Sequence, residues 1–264
     1  MKIFTHVIVM ATLSCFLTLS NKVSANTDLA ADPVKLFSPE KEAKLIELLK
    51  KAGKAERDPT LFYLLFDQLE FSSQQQNPLS WDSTAWIGRD SHKIYFKTEG
   101  ESVSGETDSE NQLLYSHAIF PFWDVQAGAT FDQSTEGKDQ NWATVGVQGL
   151  APYFFDTSIY LLLNNNNAGV SFDGEFDFLF SQRLILTPQI KVNYYSQDQP
   201  EYGIGSGLSS SELGVRLRYE INRKLAPYFG VKWQKSYGAT ADLLKQANTK
   251  SSDVSVVAGV RFWF

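Results

Sequence analysis

Cysteine, methionine and histidine are scarce in this sequence, and their positions make them scarcer still. The 264 residues contain one Cys, two Met and three His. The cysteine, both methionines and one histidine lie within the first 25 residues, which have the features of a removable export signal. The remaining chain has no cysteine, which excludes disulfides and zinc sites built on cysteine. Its only two imidazoles are those of His92 and His117.

The sequence also lacks the long apolar run of a transmembrane helix, and it lacks a positive net charge. No segment after residue 25 approaches the length of about 18 apolar residues that such a helix needs. Acidic residues outnumber Lys and Arg by 30 to 24, a formal net charge of −6, which argues against nucleic acid as a partner. With 43% apolar and 14% aromatic residues, the chain is too hydrophobic to be disordered.

The first 25 residues have the three parts of a secretory signal peptide. Lys2 supplies the positive start, residues 3–19 the apolar centre, and Val23–Ala25 a small-residue cleavage site. A lipoprotein site at Cys15 is an alternative, but the usual Leu three positions before the cysteine is absent. We therefore predict export and cleavage after Ala25.

Strict alternation of apolar and polar residues, the period of a half-buried β-strand, dominates the rest of the chain. Residues 170–180, 213–220 and 254–264 show it most clearly. A soluble sandwich would also alternate, but it explains poorly why the apolar phases are so aromatic and why the polar phases carry both charge signs. In a transmembrane barrel, lipid takes the apolar phase and a wet lumen takes the polar phase. We therefore predict an all-β barrel in the outer membrane of a Gram-negative bacterium, in contact with its lipid.

Twelve antiparallel strands are predicted, and most have the roughly 9–11 residues that a tilted strand needs to cross a bilayer. Short connections alternate with longer polar ones such as 164–168, 196–208 and 236–252, the pattern of periplasmic turns and outer loops. The first strand is ambiguous because apolar residues fill both of its phases, and it is kept because closure needs an even count. The predicted strands are 61–71, 79–88, 93–101, 110–119, 123–132, 141–150, 154–163, 169–180, 184–195, 209–220, 226–235 and 253–264.

Residues 26–60 form a predicted periplasmic segment between the signal and the barrel at 61–264. Ser38 and Pro39 mark the start of a short amphipathic helix in it, and Gly53 marks the end. Plugging the lumen, packing below the barrel and lying on the membrane are all open to this helix. Its apolar face consists of Leu45, Leu48, Leu49 and Ala52.

The polar phases of the predicted strands would line the barrel interior, where acids outnumber bases. Because buried charges must be paired or hydrated, one interpretation is a mutually neutralising network that holds a narrow barrel rigid. The other is a cation-attracting path, with Asp173, Glu175 and Asp177 on a single strand. The excess of acids is modest, so the sequence favours the network.

The two histidines fall on the hairpin formed by the third and fourth predicted strands. If the intervening loop, 102–109, is symmetric, position 92 faces about 119 and position 94 faces about 117. His92 and His117 would then lie diagonally across the strand pair at the periplasmic end, roughly 7–8 Å apart at their backbones. Two imidazoles so placed suit a borderline metal such as Cu(II), completed by a carboxylate or water. The alternative is two rim histidines at the headgroup level.

Eight stretches of the predicted barrel carry residue runs that a generic barrel would not share. They are Trp81–Asp82, YFKTEGE at 95–101, QLLYSHAIFPFWDVQAG at 112–128, WATVGVQGLAPYFFD at 142–156, QRLILTP at 182–188, GIGSGLSSSELGVRLRYEI at 203–221, APYFGVKW at 226–233 and VAGVRFWF at 257–264. In these stretches the sequence resembles the copper resistance protein B family of outer-membrane proteins. The resemblance runs from about residue 61 to the end, and runs such as LAPYFF and GIGSGLS are specific to it.

The resemblance implies a non-enzymatic barrel that acts in copper tolerance, by binding copper or aiding its passage out of the periplasm. It also implies a periplasmic multicopper oxidase as a partner, and a Met- and His-rich segment ahead of the barrel. Residues 26–60 contain neither Met nor His, which leaves a site on the barrel, with copper held at His92 and His117, or a role through the partner.

Two other functions compete with copper tolerance. A narrow channel for another small solute would use the acidic lumen to select cations. A twelve-stranded outer-membrane phospholipase would need a Ser–His pair on the outer surface near the extracellular side. His92 and His117 fall at the periplasmic end, which argues against the phospholipase.

Overall fold

The computed structural model describes residues 43–44, 59–74, 76–135, 138–247 and 249–264. The predicted signal peptide at 1–25 lies outside the described residues. So does the predicted helix of the segment 26–60, apart from Ala43 and Lys44. Both remain predictions. The described residues from 59 onward contain the barrel.

Antiparallel strands joined in a closed ring make up the described barrel. From β1 to β8 and from β9 to β13, each strand pairs with the next along the chain, and β13 pairs with β1 to close the ring. β8 and β9 are two parts of one barrel strand, interrupted at Asp177, because both pair with β10. The prediction of a twelve-stranded all-β barrel is thus confirmed. The strands are β1 Leu61–Ser72, β2 Leu79–Gly88, β3 His92–Val103, β4 Glu106–Phe120, β5 Trp123–Ser134, β6 Gln140–Ala151, β7 Phe155–Leu163, β8 Ala168–Phe176, β9 Phe178–Leu179, β10 Leu184–Tyr195, β11 Gly207–Tyr219, β12 Leu225–Ser236 and β13 Ser252–Trp263.

The ambiguous first segment is a strand, and a bulge explains its unusual pattern. The pairing of β1 with β2 shifts register between Phe66 and Gln68. A bulge adds one residue and so exchanges the inward and outward phases. Phe62, before the bulge, and Phe71, after it, are both exposed on the outer face. Without the bulge, an even-numbered and an odd-numbered residue of one strand would face opposite sides of the barrel wall. Apolar residues therefore occupy both phases of the sequence while remaining on one face of the barrel.

The connection between β3 and β4 is much tighter than the sequence predicts. In place of a loop at 102–109, the strands run on to Val103 and from Glu106, and Ser104 and Gly105 alone form the turn. Both turn residues have positive φ, 52° and 97°, as a two-residue hairpin turn that follows the strand twist requires. The polar residues on either side of the turn, which resemble a loop in sequence, belong to the two strands.

Two short helices lie in long connections at the same end of the barrel as the turn at Ser104 and Gly105. The opposite end, which we call the short-turn end, carries the connections 89–91, 121–122, 152–154, 180–183 and 220–224. A 3-10 helix at Pro200–Tyr202 lies between β10 and β11, and α1 at Gly238–Gln246 lies between β12 and β13. The Thr240 hydroxyl of α1 accepts a hydrogen bond from the Gly205 amide at 2.9 Å. These connections pack on each other, and by the outer-membrane pattern this is the extracellular end. Among the described residues, no helix is long and apolar enough to cross a membrane.

The outer face of the barrel carries a belt of exposed apolar side chains. Aromatic and branched residues of neighbouring strands point away from the lumen, as a lipid-facing surface requires. Further aromatic residues lie at the short turns, at the level of the membrane interface. The belt includes Phe96, Leu113, Phe131, Val145, Phe229 and Val231. The aromatic residues at the short turns include Phe122, Tyr153 and Phe154.

A fully desolvated ion pair holds the middle of the interior together. Arg216 of β11 donates to both carboxylate oxygens of Glu70 on β1, at 3.0 and 2.9 Å. The same guanidinium donates to Gln189 at 2.7 Å and to Gln68 at 3.0 Å. Tyr228 donates to Glu70 at 3.0 Å. Glu70 is 0% exposed and Arg216 6% exposed, so both charges depend on these partners in place of water.

Lys191 of β10 makes a second set of contacts across the lumen. Its ammonium lies 3.3 Å from Asp82 of β2, 2.5 Å from Glu99 of β3 and 3.7 Å from Asp173 of β8. In the ring order, β3 lies opposite β10, so this side chain spans the interior. Asp177, another acid of the same strand as Asp173, pairs with Arg218. These contacts are those of the neutralising network.

Removing one partner of the Glu70–Arg216 pair should destabilise the barrel strongly. In Arg216→Met, the Glu70 charge stays buried without its counter-ion, and we expect a loss of about 3–5 kcal/mol in the free energy of unfolding. Urea unfolding of the refolded barrel in lipid vesicles measures it. The double variant Glu70→Leu/Arg216→Met should lose less than the single one. A single variant as stable as the wild type would contradict this account of the interior.

Candidate functional site

The structure brings His92 and His117 together more closely than the sequence predicts. The two residues are direct partners across β3 and β4, and their ring centroids lie 4.6 Å apart in a stacked arrangement. The predicted diagonal offset is therefore wrong. The tight turn at Ser104 and Gly105 shifts the pairing register by two positions relative to a symmetric loop at 102–109.

Both imidazoles face outward at the short-turn end of the barrel. Like Ile94 and Tyr115, they are exposed on the outer face of their strands. Ser116, next to His117 in the chain, is buried and faces the lumen. Asp124, on the strand beside His117, also faces inward, where it pairs with Lys93 at 3.2 Å. The histidines thus lie on the outer surface at the short-turn end, which by the outer-membrane pattern is the periplasmic end.

Hydrogen bonds leave the same ring nitrogen available on each histidine. Nδ1 of His117 lies 3.0 Å from the Ser91 carbonyl, and because a carbonyl only accepts, this nitrogen carries the proton. Nδ1 of His92 lies 2.5 Å from the Tyr115 hydroxyl. With the proton on Nδ1 of both rings, as the Tyr115 hydroxyl permits for His92, Nε2 is the nitrogen that each ring offers to a metal.

The predicted metal site at the histidine pair has two imidazole side chains to draw on. Within the described part of the chain, no group of three or more His, Cys, Asp or Glu side chains is arranged to hold a metal ion. Two imidazoles suit copper, with water completing the coordination. Metal binding at His92 and His117 therefore remains a prediction.

An acidic cavity of about 1100 Å³ occupies the extracellular half of the lumen, and we call it the vestibule. Its wall contains a row of four acids that lie side by side on β2, β3, β4 and β5. In the backbone register, Asp82 is the direct partner of Glu99, Glu99 of Glu110, and Glu110 of Asp132. Lateral alignment depends on strand register, so the sequence alone did not show this row. Glu110, Gln112 and Leu114 lie at every second position of β4 and so share one face of the strand. This spacing is the sequence signal that could have placed Glu110 in the lumen.

Below the vestibule, the polar contacts leave little space. The cavity at the level of Arg216 has a volume of about 20 Å³, enough for roughly one water molecule. Gln68 and Gln189 bond to each other there at 2.9 Å, from β1 to β10. Together with the contacts of Lys191, this layer narrows the lumen between the vestibule and the periplasmic end.

Comparison with known proteins decides the family. The family model described as copper resistance protein B precursor matches residues 60–264, the whole described barrel. The chain belongs to the copper resistance protein B family. Copper resistance protein B of Escherichia coli is 45% identical over 216 residues, which cover 80% of this chain and 73% of that relative. The homolog from Pseudomonas syringae pv. tomato is 38% identical over 205 residues, 76% of this chain and 69% of that relative.

Solved structures with a similar backbone are outer-membrane barrels. The NanC porin has a TM-score of 0.49 at 12% identity and covers 76% of this chain and 99% of its own. The KdgM porin has a TM-score of 0.46 at 10% identity with the same coverage. Family membership and the lipid-facing belt place this member of the copper resistance protein B family in the outer membrane. The family description as a precursor is consistent with a cleaved export signal.

Since two polar layers cross the lumen, we expect the barrel to pass little ion current. Planar bilayers containing the refolded wild type should show no steady conductance. The double variant Glu70→Ala/Arg216→Ala removes one layer without leaving an unpaired charge, and it should conduct measurably more. Equal conductance of the two proteins would show that the Arg216 layer does not limit passage.

Proposed function

We propose that this barrel acts in copper tolerance without catalysing a reaction, by binding copper ions or aiding their removal from the periplasm. Membership of the copper resistance protein B family over residues 60–264 carries the proposal. The Escherichia coli relative, at 45% identity, is named for copper resistance. Copper is the ligand in this proposal.

His92 and His117 are the proposed copper ligands. They are the only imidazoles after residue 25, and imidazole nitrogen suits Cu(II). Their stacked rings lie 4.6 Å apart at the rim that faces the periplasm, where they would meet copper on its way out of that compartment. The segment 26–60 offers neither Met nor His, so the barrel itself would hold the metal.

A periplasmic multicopper oxidase is the proposed protein partner, on the family resemblance alone. It would approach the short-turn end, because that end faces the periplasm. The exposed aromatic residues of the turns, Phe122, Tyr153 and Phe154, lie at that end.

A copper titration of the refolded barrel tests the ligand assignment. The wild type should bind Cu(II) saturably, and His92→Ala/His117→Ala should lose that binding because both Nε2 atoms are removed. Tyr115→Phe is the matched control, since it removes the hydroxyl beside His92 and keeps both imidazoles. Equal binding by the wild type and the double variant would move the site to the lumen carboxylates. Absence of binding in both would remove direct copper binding from the proposal.

Copper sensitivity of the host tests the biological role separately. Cells that carry only the double histidine variant should grow less well at raised copper than cells with the wild type or with Tyr115→Phe. Equal growth of all three, at equal amounts of folded barrel in the membrane, would contradict a role for the pair in tolerance.

A cation-preferring channel is the second candidate function. The acidic row from Asp82 to Asp132 favours it, because carboxylates at a pore mouth attract cations. The layers at Lys191 and Arg216 oppose it, since they cross the path. A cation-selective wild-type current in planar bilayers would favour the channel over copper binding at the rim.

A further inference from the structure

Three neighbouring strands bring a group of oxygen atoms together on the vestibule wall. Glu110 of β4 is the direct partner of Asp132 on β5, and Asp132 is the direct partner of Gln140 on β6. All three side chains line the vestibule. The group therefore contains two carboxylates and one amide on directly neighbouring positions of the wall.

The two carboxylates of this group face each other without a counter-ion from the described chain. Like charges directly opposite each other on neighbouring strands are destabilising. Lys191 approaches the other end of the acidic row, at Asp82 and Glu99, and in the described ranges no ion pair reaches Glu110 or Asp132. Their hydrogen bonds come from uncharged donors, Gln112 at 2.6 Å and Trp142 at 2.7 Å. Among the described residues, no cationic side chain therefore offsets the charge of this pair at ion-pair distance.

Two buried oxygens in this group also lack a hydrogen-bond partner. Gln140 is only 6% exposed, yet among the described residues nothing bonds to its Oε1. Its Nε2 donates to Gln199 at 2.7 Å, so the oxygen is the part of the amide left for a ligand. Oδ1 of Asp132 is likewise buried, with no partner in the described part of the chain. Buried polar atoms of this kind are rare and commonly mark a bound ion or water.

We propose that Glu110, Asp132 and Gln140 bind a hard divalent cation of the calcium or magnesium class. Such cations take carboxylate and amide oxygens, and they complete their coordination with water, for which the vestibule has room. The cation would neutralise the two facing carboxylates and satisfy both buried oxygens. All three side chains of the group offer oxygen ligands, which distinguishes it from the proposed copper site.

A cation here would stabilise the extracellular connections. Gln140 bonds to Gln199 in the connection between β10 and β11, and Lys138, just before β6, pairs with Glu201 in the same connection. The bound ion would hold the β5–β6 end of the barrel against the segment that covers it.

Terbium luminescence tests the site directly, because Tb³⁺ prefers the same oxygen ligands. The Trp142 indole bonds to Asp132, so light absorbed by this tryptophan should sensitise a bound Tb³⁺. Titration of the refolded full chain should give saturable luminescence that calcium or magnesium displaces. Asp132→Asn and Glu110→Gln should each weaken Tb³⁺ binding by at least about tenfold. Trp142→Phe should lower the luminescence.

Asp253→Asn is the matched control, because Asp253 is an acid of the same vestibule on β13, away from the group. It should bind Tb³⁺ as the wild type does. The shift in gel mobility between unheated and heated samples shows that each variant is folded. Binding that survives Asp132→Asn, falls equally in Asp253→Asn, or resists calcium and magnesium would overturn the proposal. These outcomes do not depend on copper, so they leave the histidine proposal to its own test.

Discussion

Closure of the backbone ring is the constraint on which the rest of this barrel depends. Inside a bilayer no water is available to an unpaired N–H or C=O, so every strand must be bonded along both edges. β1 meets this requirement between β2 and β13, and its bulge next to Gln68 is part of the solution. The bulge turns Gln68 and Glu70 into the lumen while Phe62 and Phe71 both face lipid. The bulge in β1 thus turns the Glu70 carboxylate towards Arg216 inside the barrel.

Charges inside the ring follow from the same exclusion of water. Arg216 and Glu70 satisfy each other with the help of Gln189 and Tyr228, and Lys191 reaches acids from opposite walls. The residual acidity lies in the extracellular vestibule, where Glu110 and Asp132 face each other. The histidines lie on the opposite end and on the outer surface. The carboxylate oxygens of the vestibule and the imidazole nitrogens of the two histidines therefore lie on different surfaces of the barrel.

Alternation was enough to predict most of the strands, because each lipid-facing residue must be apolar whatever its neighbours are. β1 does not alternate, and it was predicted only because closure needs an even number of strands. Pairing between strands was not predictable in the same way. A turn centred on Ser104 and Gly105 places His92 directly opposite His117, and a turn centred one residue later, as in the predicted loop 102–109, would have offset them. The acidic row has the same origin, since four residues far apart in sequence meet only through register. Glu70 escaped prediction because the bulge reverses the phase of its strand.

Copper bound at the periplasmic rim is the central claim about this protein. Diffraction from crystals of the barrel soaked in Cu(II), recorded at the copper absorption edge, tests it most directly. We expect an anomalous peak within bonding distance of Nε2 of both His92 and His117, where Nδ1 of each ring is already engaged by Tyr115 or Ser91. A copper peak among the lumen carboxylates with none at the histidines, or no copper peak on the barrel, would contradict the claim.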